Sequence, residues 1–256
     1  PDLTKEMTND LMEGQEENTL VKWMRSLSWD EEQESMIKNI LQMYLVGHGK
    51  EGHTVFWQVD EELKVRTAKM MLYKQDGHRD KETPHNFDFV HSVLLTAKYW
   101  NEEKFDYKTC FFGTHLIDCF PDATINLVES EKTAILCAIA YGRPDKHLWI
   151  ATGGLNFLTA PRLKPFIDRQ RYIVCYPDRD AIGAWKEKIK TIGYDRLSIT
   201  SNINTLYTAA DPEKADIADV IVRKMKEQNQ DELKQLCDKH PNLDLLVKTF
   251  NLEIVK

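Results

Sequence analysis

The sequence predicts an α/β protein in which a parallel sheet flanked by helices follows a smaller mixed α+β subdomain. Three observations predict it. From Ala123 onward, short apolar runs alternate with amphipathic helical segments, the pattern of βα units. Before Ala123, two strand-like stretches are joined by a short acidic connection, as in an antiparallel hairpin. The 256 residues, 42% hydrophobic and 29% charged, carry enough apolar mass for one large domain or two modest ones. The same composition excludes a disulfide miniprotein and a low-complexity tail. No run approaches the roughly 20 apolar residues of a transmembrane helix. The acidic start does not have the form of a signal peptide.

Residues 1–17 are acidic and aperiodic and read as a flexible arm. Helical spacing begins near Thr19, with Leu20, Trp23, Met24 and Leu27 on one face. Ser28, Trp29, Asp30 and Glu31 have the form of a capping box. Met36, Ile37, Ile40, Leu41, Tyr44 and Leu45 repeat behind it, with Gly47 expected as the C-cap. Residues 54–59 and 63–73 read as strands, and Asp76 with Gly77 marks the next turn. A helix is expected over residues 88–99. In the second half, 125–128, 147–151, 171–176 and 196–200 read as strands. Residues 131–141, a proline-interrupted stretch after Gly154, 180–191 and 216–225 read as helices. The expected organisation is an arm over 1–17, a basic α+β subdomain over 18–122, the parallel α/β domain over 123–226, and small helices over 227–256, broken at Pro241.

The net charge of −7 is concentrated. Residues 1–34 hold ten acids against three bases, so the rest of the chain is neutral. Within that rest, Lys64, Arg66, Lys69, Lys74, Arg79 and Lys81 outnumber Asp76 and Asp80 over 64–81. Such a stretch can contact phosphate, or it can be an ordinary solvated hairpin. The five cysteines, at 110, 119, 137, 175 and 237, are odd in number and contain no CxxC. They read as reduced thiols, hence as a cytoplasmic protein, and neither they nor the histidines have zinc-ligand spacing.

In a parallel α/β sheet, ligands bind at the carboxyl ends of the strands. Those ends are acidic here. The first strand runs into Glu129, and the third into Asp178, Arg179 and Asp180. The second runs into Gly153 and Gly154, which would let a ligand approach the backbone. Each acid alone has a bland reading: Asp180 as a helix N-cap, Asp178 as turn chemistry, Glu129 as a helix-dipole partner. Three at one edge repel each other, and a divalent cation resolves the conflict, so the edge predicts a Mg²⁺ site for phosphate chemistry.

The run Val128, Glu129, Ser130, Glu131, Lys132, Thr133, Ala134 resembles the glutamate motif of toprim domains. Asp178, Arg179 and Asp180 with Gly183 resemble their Asp-x-Asp motif. Asp216 and Asp219 resemble the later acidic segment of toprim primases. Upstream, Val55 to Asp60, Val65 to Met70, and Phe111, Phe112, Gly113 resemble the catalytic core of DnaG-type bacterial primases, in the form found in mobile elements. The resemblance implies a primase-like nucleotidyltransferase that uses Mg²⁺ or Mn²⁺ on Glu129, Asp178 and Asp180. It implies nucleotide or nucleic-acid contacts by Arg66, Lys69, Lys132, Gly153, Gly154 and Arg179. Single-stranded DNA and nucleotides would be its partners, with a helicase or other replication protein as a further one, and no membrane. The alternatives are a toprim nuclease and a non-catalytic nucleic-acid-binding accessory. A bulge near Ala68 would bring Arg66 and Lys69 toward the acids, and as exposed residues their replacement should leave stability intact.

Overall fold

Asn18 opens the first helix by accepting from the Leu20 N–H at 3.0 Å, and its amide also donates to Gly47 O. The computed structural model describes residues 18–92 and 109–254; the expected arm over 1–17 lies outside them. Helices α1 (Thr19–Arg25) and α2 (Glu31–Met43) bury Leu20, Met24, Ile37, Ile40 and Leu41. The capping box starts at Asp30 with Gln33, not at Ser28. Trp29 is buried and donates to Met24 O at 2.6 Å, which keeps the chain extended until Asp30. Gly47 is not the helix cap. Leu45 takes the left-handed turn (φ 53°), and Gly47 pairs with Val55 inside strand β1 (Val46–His48).

β1, β2 (Thr54–Val59), β3 (Val65–Met71) and β4 (Phe87–Phe89) form an antiparallel sheet in that order. All six β2 residues are buried, because both faces of the strand are covered. Phe56 faces the main core, while Val55, Trp57 and Val59 form a smaller cluster with Ala68 and Val90. Residues 88 and 89 belong to β4, and of the helix expected over 88–99 the described residues 90–92 are helical. Phe87 and Phe89 alternate along it and pair with Met71 and Lys69. Residues 93–99 lie outside the described residues.

The second sheet is wholly parallel, with order β6-β5-β7-β8: β5 (Thr124–Val128), β6 (His147–Ala151), β7 (Ile173–Cys175) and β8 (Leu197–Ile199). It is flanked by α3 (Glu131–Tyr141), α4 (Ala160–Asp168), α5 (Ile182–Ile192), the short α6 (Ile203–Leu206) and α7 (Ile217–Lys239). α8 (Pro241–Phe250) packs on α7. α7 is much longer than the helix expected over 216–225 and runs through position 226. Its second half is polar, and only Ile217, Ala218, Val220 and Ile221 are buried, so apolar periodicity could not reveal its length.

One core joins both halves. It extends from Leu20 and Tyr44 through Phe56 and Phe112 to the parallel sheet. Tyr44 donates to Trp149 O at 2.7 Å, and Phe112 forms a β-bridge with Ala151. Arg171, nearly buried, donates to the carbonyls of Ile117, Phe120 and Ala123 and so closes the turn that leads into β5. All five cysteines are free thiols.

Candidate active site

β5 and β7 are adjacent, and their ladder ends with Leu127 opposite Cys175. The Tyr176 N–H still donates to Leu127 O at 2.8 Å, so the chain leaves both strands side by side. Glu129 and Asp178 therefore emerge at one edge of the sheet. Glu129 Oε1 accepts from Trp185 Nε1 at 2.9 Å, and the backbone N–H groups of Leu155 and Asp178 also act on its carboxylate. Burial raises the Glu129 pKa against those donors, and Asp180 adds repulsion. Asp178 is pushed up to about 8, first by loss of water and then by the charges of Glu129, Asp216, Asp180 and Asp219. Asp180 is exposed in the turn Arg179–Ala181. Neither aspartate caps the next helix: Asp178 makes no side-chain cap bond, and Ala181 is the N-cap of α5.

Asp216 and Asp219 form the capping box of α7, and Thr133 Oγ1 donates to Asp216 Oδ2 at 2.5 Å. The Asp219 pKa is raised by burial and by Asp216, while Lys132 and His78 draw it down. Five carboxylates thus share one electrostatic neighbourhood. Among the described residues, however, no three His, Cys, Asp or Glu side chains stand close enough to surround a metal ion. The donor chemistry fits Mg²⁺ all the same. That ion takes one or two protein carboxylates and completes its shell with water and phosphate oxygens. Glu129 and Asp178 are desolvated, hard oxygen donors of this kind, and Asp178 carries a repulsion that a cation would relieve.

The basic residues named from sequence occupy different settings. The β2–β3 register shifts between Gln58 and Val59, which pair with Thr67 and Val65, so the bulge falls at Arg66 rather than near Ala68. Arg66 Nε donates to Asp60 Oδ2 at 2.5 Å. Lys69 Nζ lies 2.9 and 3.1 Å from the two oxygens of Glu131, with side-chain exposures of 12% and 1%. The pair ties β3 to the first turn of α3, next to Glu129. Lys69 is therefore not an exposed residue whose replacement leaves stability intact, because its loss strands a buried carboxylate. Arg179 donates to Asp211 O at 2.5 Å, and its N–H to Ala215 O, which fastens the loop ahead of α7 to the strand end. Lys132 Nζ donates to Gly77 O at 3.2 Å. The Gly153 N–H goes to Glu129 O and the Gly154 N–H to Thr152 Oγ1, so both amides are used within the protein. At Gly153 (φ 83°) a Cβ would stand 3.3 Å from Glu131 Oε1, so glycine suits both the backbone and the close approach.

Sequence reasoning passed over Glu131 and Trp185 as site residues. Trp185 carried no polar signal: it reads as an inward apolar residue of α5, and only the fold shows its N–H meeting Glu129. Glu131 stood inside the glutamate motif, but its partner Lys69 is 62 residues away.

This architecture is that of the primase catalytic core. The Escherichia coli primase catalytic core matches with a TM-score of 0.52 at 11% identity, over 90% of this chain and 78% of that one. The DnaG primase catalytic domain solved with single-stranded DNA matches with a TM-score of 0.51 at 13% identity, over 89% and 75%. At such identities the likeness establishes the fold. By sequence, the chain belongs to the DUF6371 family, a domain of unknown function, whose model covers residues 18–179. No curated protein matches the chain. Among the described residues, no helix is long and apolar enough to cross a membrane.

Proposed function

We propose that this chain is a primase-like nucleotidyltransferase core with a toprim-type acid edge, acting on single-stranded DNA and nucleoside triphosphates. The observation that carries the reading is the desolvated carboxylate of Asp178 beside Glu129 at the carboxyl end of the parallel sheet. An isolated buried repulsion of this kind weakens the fold, which makes the edge a candidate functional site. Glu129 and Asp178, with Asp180 beside them, would hold Mg²⁺ or Mn²⁺; bound there, the ion neutralises triphosphate charge and activates an attacking hydroxyl. Trp185 fixes the Glu129 carboxylate through its N–H. The Lys69–Glu131 pair holds the antiparallel sheet against the edge, so the protein's share of the work is positioning.

The fold of the neighbours supports this reading, and the one described as bound to single-stranded DNA supports the substrate class. The test is incubation with single-stranded DNA, labelled nucleotides and Mg²⁺ or Mn²⁺. Extension products are expected. Shortened DNA would replace the reading with a nuclease, and binding without any covalent change would replace it with an accessory protein.

A further inference from the structure

We propose that Tyr207 is a positioning residue that sets Glu129 and Asp178 together through one peptide group, the link between Pro177 and Asp178. The inference rests on the reading of Glu129 and Asp178 as cation ligands and adds the side chain that holds them in place. Tyr207 Oη donates to Pro177 O at 2.7 Å. The N–H of the same peptide group, on Asp178, acts on the Glu129 carboxylate. A trans peptide is planar, and its carbonyl and N–H point in opposite directions. Holding the carbonyl therefore fixes the plane, aims the N–H at Glu129 and sets where the Asp178 side chain begins. A donor on the carbonyl also strengthens the N–H at the other end of the group.

Asp178 has lost water and faces the charges of four other carboxylates, so an unrestrained segment would turn it outward. The residues on either side of it are restrained. Tyr207 holds Pro177; beyond Asp178, the Arg179 N–H donates to Ala215 O and its guanidinium to Asp211 O. Asp211 is itself buried and held by Thr208 and Arg223. The loop over 207–215 thus braces the acid strand end at both flanks of Asp178. Tyr207 is seated in that loop by α6, whose Ile203 and Leu206 are buried. Burial and the charges of Asp178, Asp216 and Asp219 raise the Tyr207 pKa, so the phenol keeps its proton and stays a donor. The same charges place the phenol beside the acid edge.

The experiment measures Mn²⁺ affinity by electron paramagnetic resonance with no nucleotide present, and the melting temperature in chelator. The wild type, Tyr207→Phe, Arg179→Met and Tyr194→Phe are compared. Tyr194 is the control: its hydroxyl donates to Arg171 O at 3.0 Å, a bond of the same kind at the opposite end of β7. Both Phe variants lose one hydroxyl–carbonyl bond, so a merely structural effect would appear in both. Tyr207→Phe is expected to lose about tenfold in Mn²⁺ affinity, the effect of removing a group that orients metal ligands, and Tyr194→Phe to lose none. Arg179→Met is expected to bind Mn²⁺ more weakly as well, although removing a positive charge beside a cation would by itself strengthen binding. A wild type that binds Mn²⁺, with a folded Tyr207→Phe that binds it as tightly or a Tyr194→Phe weakened to the same degree, overturns the positioning role and leaves the proposed function standing. If Tyr207→Phe does not fold, Arg179→Met decides: weaker binding supports the role, and equal or tighter binding overturns it. A wild type without saturable Mn²⁺ binding overturns both the role and the cation reading beneath it.

Discussion

Replacing Asp178 by Asn isolates the electrostatics of the acid edge. The change keeps the side chain's shape and removes one charge from a group that no hydrogen-bond donor supports among the described residues. Its carboxyl is raised to about 8 in the folded protein, so the folded state retains a proton that the unfolded state loses near pH 4. The folded state therefore binds more protons across that window, and stability falls as pH rises from about 4 to about 8. Holding Asp178 at pH 8 costs at most about 5 kcal/mol, at 1.36 kcal/mol per pH unit. Residual water contact and movement of its acidic neighbours reduce this, and we expect roughly 2 kcal/mol, or about 4–8 °C in Tm for a chain of this size. Thermal melts of wild type and Asp178→Asn in chelator should show the Asn variant more stable at pH 8 and the difference shrinking toward pH 5. A difference that does not change with pH, or an Asn variant less stable at pH 8, would refute the reasoning.

Other outcomes follow from particular contacts. Lys69→Ala should destabilise by about 3–5 kcal/mol in denaturant titration, because Glu131 is left charged and buried, whereas Lys69→Met with Glu131→Leu should restore much of the loss. Arg171→Met should cost about 3 kcal/mol in the same titration, since three inward carbonyls lose their donor. Thiol labelling of unreduced, denatured protein should find five free thiols; in the native state Cys119, which is exposed, should react first and buried Cys137 and Cys175 last.

The parallel half was legible because each strand is a short apolar run and two of the helices end at a glycine, although α7 runs far past its apolar stretch. Glu131–Tyr141 and His147–Ala151 fall where spacing put them, and Gly142 and Gly193 stop their helices. The antiparallel half was harder. β4 is three residues long and acquires its identity from pairing with β3, which no local pattern encodes. The end of α2 was misjudged because Leu45, not a glycine, takes the left-handed conformation there. At the site, Glu129 and Asp178 could be located because strand ends specify them. The environment that perturbs them could not, since Trp185, Asp216 and Lys69 arrive from distant parts of the chain. The proximity of Lys69 to the acids was expected, but its partner was not: it meets the protein's own Glu131.

The claim that the acid edge holds a catalytic cation is tested most directly by Mn²⁺ titration followed by electron paramagnetic resonance, with and without a nucleoside triphosphate. The account predicts saturable Mn²⁺ binding that strengthens with nucleotide in the wild type. It predicts loss of that binding in folded Asp178→Asn and Glu129→Gln chains, whose Tm no longer responds to the metal. Binding that is absent from the wild type, or that survives unchanged in both variants, would contradict it.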